Sequence, residues 1–310
     1  MWSDMVNVER SGTGLPNEAE NALSHPFEII EPAAWKAPVV FNSPHSGSCY
    51  PPDFLRSSRL DLATLQKSED SFVDEFIVGL AQRGFGVMRA HFPRSYIDVN
   101  REPYELDPRM YSSRLPSYAN TRSMRVAGGL GTIPRVVGDA QEIYRERISA
   151  EDALRRIEAL YKPYHRELRR LISRAHRQFG AVILVDCHSM PSAGASHEDT
   201  RRADIVIGDR YGASCAPVIT ATIEATLVRL GYSVSRNKPY AGGFITEHYG
   251  HPADGFHSIQ IEINRSVYLN ESTRARLPRF EQVTADFAVL AEALGDIGRE
   301  QLWPVRTAAE

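Results

Sequence analysis

Ala181–Ser189 reads AVILVDCHS, an unbroken apolar run that stops at Asp186, Cys187, His188 and Ser189. Val182, Ile183, Leu184 and Val185 have the β-branched and aliphatic character of a strand buried on both faces, the habit of a parallel sheet covered by helices. Ligands of such sheets bind beyond the carboxyl ends of the strands, where loops open a crevice over a rigid backbone. His188 is therefore expected at a strand end, placed to act, with Asp186 orienting a neighbouring imidazole.

Upstream, Asp139 to Arg177 carries Ile143, Ile148, Leu154, Ile157, Leu160, Tyr164, Leu168 and Leu171 at helical spacing, and Pro163 should kink or divide that helix. Residues 102–138 are rich in Gly, Pro, Ser and Arg and show no period, as expected of a functional excursion or lid. Gly128, Gly129 and Gly131 lack both the preceding strand and the following Lys-Ser/Thr of a phosphate loop. Before them, Gly86–Arg89 reads as a strand, and Ser95–Arg101 as a third strand or an extended crossing segment. Asp61–Arg83 predicts one helix with Phe72, Phe76 and Leu80 on its stripe, closed by Gly84. Ala37–Asn42 repeats the opening design: a short apolar strand that halts at SPHSGSCYPP and delivers His45.

Downstream, a polar loop from Pro191 to Arg202 precedes a strand at 204–208, a helix from about Cys215 to Leu230 and a strand at 232–236. The Gly-rich loop NKPYAGGFITEHYG, the strand SIQIEINR and a closing amphipathic helix over 273–301 complete the chain. Alternating strands and helices predict one three-layer α/β domain over residues 31–310, preceded by an irregular tail at 1–30.

The 310 residues suffice for a sizeable core. A formal net charge of −3, with no basic tail or stripe evident, argues against nucleic acid as a partner. Cys49, Cys187 and Cys215 have no CxxC spacing, so neither a disulfide framework nor a zinc knuckle is expected. No apolar run approaches the ~18 residues that span a bilayer, and no signal pattern opens the chain, so no membrane association is expected and the predicted location is cytoplasmic.

Two strand-end histidines and Glu262, on a strand whose Ile259, Ile261 and Ile263 face the other way, supply the usual donors of a hydrolytic zinc site. A further carboxylate must accept a proton from water, and chain order does not choose which acid takes which task. Cys187 should point away from His188 if strand alternation persists, and no G-x-S-x-G elbow is present. His248, His251 and His257 lie in a loop that could face substrate.

FNSPHSG, SEDSFVDEF, SYIDVNREP, GLGTIPRV, DCHSMP, YAGGFITEHYG and QIEINR, in this order between Phe27 and Leu269, resemble the N-formylglutamate amidohydrolases, relatives of carboxypeptidase-type zinc exopeptidases. The resemblance implies an α/β/α fold of the zinc exopeptidase type with a mixed, mostly parallel central sheet. It implies one Zn²⁺ per chain, or another divalent transition metal, bound by His45, Asp70 and His188, with Glu69 the alternative to Asp70. Glu262 is implied as general base for attack of zinc-bound hydroxide on an N-formyl amide. The expected reaction is N-formyl-L-glutamate plus water to formate and L-glutamate, a step of histidine degradation. Recognition of an acidic small-molecule substrate calls for guanidinium clamps: Arg101 beside Asn100 first, then Arg94 and Arg265, with Arg101 also a candidate to stabilise the oxyanion. Tyr240, Gly242 and Gly243 are expected to wall the pocket. Two other readings remain: an N-acyl amino acid hydrolase or carboxypeptidase-like peptidase of wider range, and a non-catalytic binder of acidic metabolites.

Overall fold

The computed structural model describes residues 23–138, 140–192 and 203–303. The first 22 residues of the expected tail and most of the loop at 191–202 lie outside this range. A seven-stranded sheet is built from β1 (Phe27–Ile30), β2 (Val39–Ser43), β3 (Gly86–Ala90), β6 (Val182–Met190), β7 (Ile205–Gly208), β8 (Val234–Arg236) and β9 (Phe256–Asn264), in the order β1-β3-β2-β6-β9-β7-β8. The central four strands are mutually parallel, whereas β1 runs antiparallel to β3 and β7 antiparallel to β9. A two-stranded ribbon of β4 (Val136–Val137) and β5 (Gln141–Glu142) stands apart.

Alternation divides the central strands between two cores. Val39, Phe41, Ile183, Val185, Cys187, Ile259, Ile261 and Ile263 face one layer, and Val40, Val182 and Leu184 the other. Full burial of each such aliphatic side chain contributes about 1.5–3 kcal/mol. Of the helices α1 (Pro52–Ser57), α2 (Leu62–Gln66), α3 (Val73–Val78), α4 (Met124–Ala127), α5 (Ala150–Arg156), α6 (Lys162–Phe179), α7 (Pro217–Arg229), α8 (Phe244–Tyr249) and α9 (Phe280–Gly295), α3, α7 and α9 cover the first face, and α5 and α6 the second. The architecture is therefore three-layered, as the sequence predicts.

Several boundaries differ from expectation. The sheet takes in Phe27–Ile30, read as tail, because this short edge strand pairs with β3 and has too few residues to show a period. β6 continues through the histidine to Met190, since its polar end is laddered residue by residue to β9. The predicted helix over 61–83 is broken between α2 and α3, where Phe72 adopts a left-handed φ of 66°. Ser95–Arg101 forms no strand, and its backbone is tied instead to the excursion through Asp98 N–H donating to Thr132 O. The helix read over 139–177 starts only at Ala150, and the one read over 273–301 starts at Phe280. Pro163 is accommodated by a π turn, Ile157–Tyr161, because a residue without an N–H leaves one carbonyl of the ladder unpaired. The outer side of α6 carries Arg166, Arg169, Arg170, Arg174 and Arg177 around a cavity of about 700 Å³. This basic face is hidden by the balanced composition, and Glu167 and Glu31 pair with three of its arginines.

Candidate functional site

His45 follows β2 in the loop opened by Pro44, and His188 stands within β6, one strand over. Their ring centroids are 4.8 Å apart. Both present Nδ1 to one oxygen of Asp70: His188 Nδ1 lies 3.0 Å, and His45 Nδ1 3.4 Å, from Asp70 Oδ2. Behind each ring a second carboxylate meets Nε2. Asp98 Oδ1 lies 2.7 Å from His45 and Asp186 Oδ2 lies 2.8 Å from His188. A carboxylate at Nε2 fixes the tautomer that leaves a lone pair on Nδ1.

Asp70 reaches this point because the break between α2 and α3 turns the SEDS segment inward. Its N–H donates to His45 O, and its second oxygen, Oδ1, accepts from Ser189 Oγ at 3.0 Å. Burial would push the Asp70 carboxyl up, but the adjacent imidazoles of His188 and His45 hold it well below the usual range. Glu69 is turned elsewhere, accepting from Tyr50 Oη and Arg274 at 2.6 Å each.

The donor atoms of His45, Asp70 and His188 lie within 4.8 Å of one another, and all three residues are buried. His45 Nδ1 has no hydrogen-bond partner. An unpartnered buried imidazole nitrogen, aimed with a second imidazole at a shared carboxylate oxygen, fits a divalent transition ion such as zinc.

Glu262 is the cross-strand partner of His188, and projects from the face of β9 opposite Ile261 and Ile263. Burial pushes its carboxyl up to about 7 against the pull of His188. Gln260 Nε2 donates to Glu262 Oε1 at 2.8 Å. Both line a cavity of about 520 Å³ that also contains His45, His188, Asp98 and Asn100. Cys187 points into the opposite core, where burial raises its thiol well above the ordinary range.

The four expected recognition side chains all line this cavity, but each also bonds to the protein. Arg265 donates to Ser189 Oγ, Lys67 O and Glu69 O, fastening the Asp70 segment to β9. Arg101 donates to Leu130 O and Asn100 O, and Arg94 to Asp98 Oδ2 at 2.9 Å. Asn100 Oδ1 accepts from Ile245 N, anchoring α8. Tyr240, Gly242 and Gly243 form part of the wall. A Cβ on Gly243 would lie 2.4 Å from the Asn100 amide nitrogen, so only glycine admits this approach. Gly131 similarly lets the excursion press against Glu105 O, supporting the backbone beside Asp98. His248, His251 and His257 are not among the cavity residues; His257 is buried between Leu302 O and Ala216 N.

Several residues of the site escaped the sequence reading of its chemistry, Gln260 and Asp98 among them. Asp98 lies inside the quoted SYIDVNREP motif, a usable signal, but its task depends on meeting His45. Arg125, on α4 of the excursion, and Arg210, just after β7, have no local signature. No helix among the described residues is long and apolar enough to cross a membrane.

N-formylglutamate deformylase of Pseudomonas aeruginosa is 28% identical over 279 residues, covering 88% of this chain and 98% of that protein. The enzyme of the same name from Pseudomonas putida is 29% identical, covering 76% of this chain and 84% of that protein. The crystal structure of N-formylglutamate amidohydrolase from Ralstonia eutropha superimposes with a TM-score of 0.81 at 34% identity, over 87% of this chain and 96% of that one. Atu2144 from Agrobacterium tumefaciens, at 19% identity and a TM-score of 0.62 over 88% of this chain and 96% of that one, shares the fold. Residues 37–269 match the family model described as N-formylglutamate amidohydrolase, and the chain belongs to that family.

Proposed function

We propose that this chain hydrolyses N-formyl-L-glutamate to formate and L-glutamate with the help of a zinc ion held by His45, Asp70 and His188. The observation that carries the reading is the convergence of two Nδ1 atoms on Asp70 Oδ2, in a cavity that also exposes Glu262. The chemistry supplied by zinc at those three residues is Lewis-acid polarisation of the formyl carbonyl and a lowered pKa for water.

The protein's own groups do the rest. Glu262 takes a proton from water as the new C–O bond forms, and returns it to the amide nitrogen as the C–N bond breaks, freeing the amine of glutamate. A carboxyl raised to about 7 can both accept and donate at neutral pH, and such positioned transfer contributes roughly 10²- to 10⁴-fold in rate. Gln260 holds one oxygen of that carboxylate in place. Asp98 and Asp186 keep the imidazoles turned, and Arg94 and Arg101 give the wall beyond His45 the positive charge that suits the α-carboxylate.

Formate release by zinc-loaded protein from N-formyl-L-glutamate, compared with cleavage of N-acetyl-L-glutamate and of a dipeptide ending in glutamate, tests the reading. The formyl substrate should give the highest kcat/KM. Turnover of the acetyl compound or the dipeptide without formate release would replace this reading with the wider hydrolase.

A further inference from the structure

The carboxylates of an acyl-glutamate must meet cations; of those lining the cavity, Arg265 is held by Ser189, Lys67 O and Glu69 O, Arg94 and Arg101 pair with Asp98 and Arg125 with Glu105, which leaves Lys67 and Arg210. In the order of the sheet, Arg94 follows β3, His45 follows β2, His188 sits on β6, Glu262 on β9 and Arg210 follows β7. Because β7 runs antiparallel to β9, with Gly208 opposite Gln260, Arg210 enters the cavity wall from the Gln260 end of β9, whereas His45 and Arg94 enter it from the carboxyl ends of β2 and β3.

Arg210 is mounted in an unusual way. It and Tyr211 adopt left-handed φ values of 54° and 58°, a region that side-chain-bearing residues seldom occupy. The turn is braced from several sides. Asp209 accepts from Gly212 N, Thr220 Oγ1 and Asn237 Nδ2, Asn237 Oδ1 accepts from Asp209 N and Tyr211 N, and Arg210 N donates to Ala241 O. All this fixes a guanidinium at the cavity wall whose ionic partner is Glu247 at 2.9 Å, a side chain 59% exposed. An ion pair so open to water is weak and exchanges readily for a better-placed anion.

We infer that Arg210 recognises the side-chain carboxylate of the substrate and sets the preference for acidic acyl amino acids. This rests on the acyl-amino-acid reading of the cavity. The amide nitrogen is bonded directly to Cα, so the α-carboxylate stays beside the histidines, where Arg94 stands. The side-chain carboxylate extends farther, and on the Gln260 side of the cavity the cation of the wall is Arg210.

Calorimetric titration of the full-length zinc-loaded protein with L-glutamate, L-glutamine and the α-amide of glutamate tests this without relying on turnover, so failure of the deformylase reading leaves the measurement decisive. Wild type should prefer glutamate over glutamine by roughly 10- to 100-fold, the scale of a charge-assisted hydrogen bond. Arg210→Asn, chosen because asparagine tolerates the left-handed backbone, should erase that preference while binding glutamine within about twofold of wild type. Arg210→Lys should fall between, having charge without the planar fork. Glu247→Gln should tighten glutamate a few-fold and leave glutamine unchanged. The discrimination against the α-amide should persist in every variant. The inference is overturned if wild type binds glutamate and glutamine alike, if Arg210→Asn keeps the preference, or if that variant loses both ligands equally.

Discussion

The two imidazoles of the site are held in contrasting ways. His188 and its carboxylate Asp186 come from one strand, two residues apart and on the same face, so their geometry is inherited from the pleat. His45 and its carboxylate Asp98 come from two loops separated by 53 positions, and meet only because Asp98 N–H is tied to Thr132 O and its second oxygen is gripped by Arg94. A strand mount is set by local geometry. A loop mount is set by charge and by distant packing, and so answers differently to substitution.

Replacing either imidazole by alanine should remove bound zinc and activity together in both arms, the largest effect expected, read by metal analysis and formate release. Glu262→Gln should leave both arms and their metal intact, yet lower kcat by roughly 10²- to 10⁴-fold; full activity in that variant would remove Glu262 from the proton-transfer role. The asymmetry between the arms appears with the supporting carboxylates. Asp98→Asn and Asp186→Asn should each weaken zinc binding by roughly 10- to 100-fold in competitive chelator titrations. Asp98→Asn should also destabilise the fold by roughly 2–4 kcal/mol, since it leaves two partly buried arginines without their carboxylate. Asp186→Asn, with Asn42 donating to its other oxygen, should cost only about 1–2 kcal/mol. Equal losses in denaturant unfolding would break the contrast.

A smaller effect should appear with pH. Burial raises the Asp98 carboxyl, but Arg101, His45 and Arg94 together hold it well below its ordinary value. A depressed carboxylate stabilises the fold above its unfolded pKa of about 3.9 and loses that contribution as pH falls toward the folded value. Thermal unfolding of chelated protein should therefore weaken below roughly pH 4 more steeply in wild type than in Asp98→Asn. Smallest of all, Cys187→Ala should leave kcat/KM within about twofold of wild type, because that side chain lies on the opposite face of β6.

The same contrast explains what could be read from the chain. β2 and β6 were legible from apolar runs, β9 from its alternating isoleucines, and Glu262 from its place among them. The acid cluster at 68–76 was visible, but which acid turns inward depends on the left-handed Phe72 that ends the break before α3, and no periodicity encodes that. Ser95–Arg101 reads as a strand or a crossing segment because Tyr96, Ile97 and Val99 favour extended backbone; its bonds to the excursion exclude the strand. Asp98 and Arg210 become meaningful only once loops from different strands converge.

The pairing of His188 with Glu262 across β6 and β9 has a consequence for how this chain reaches an active state. Were β9 to slip by one position, Glu262 would enter the isoleucine layer and Ile261 or Ile263 would protrude among the histidines. Such a molecule would lose its hydrophobic contacts and its chemistry in the same event. Folding thereby proofreads the catalytic arrangement, and few chains can mature with a sound interior and a misassembled centre.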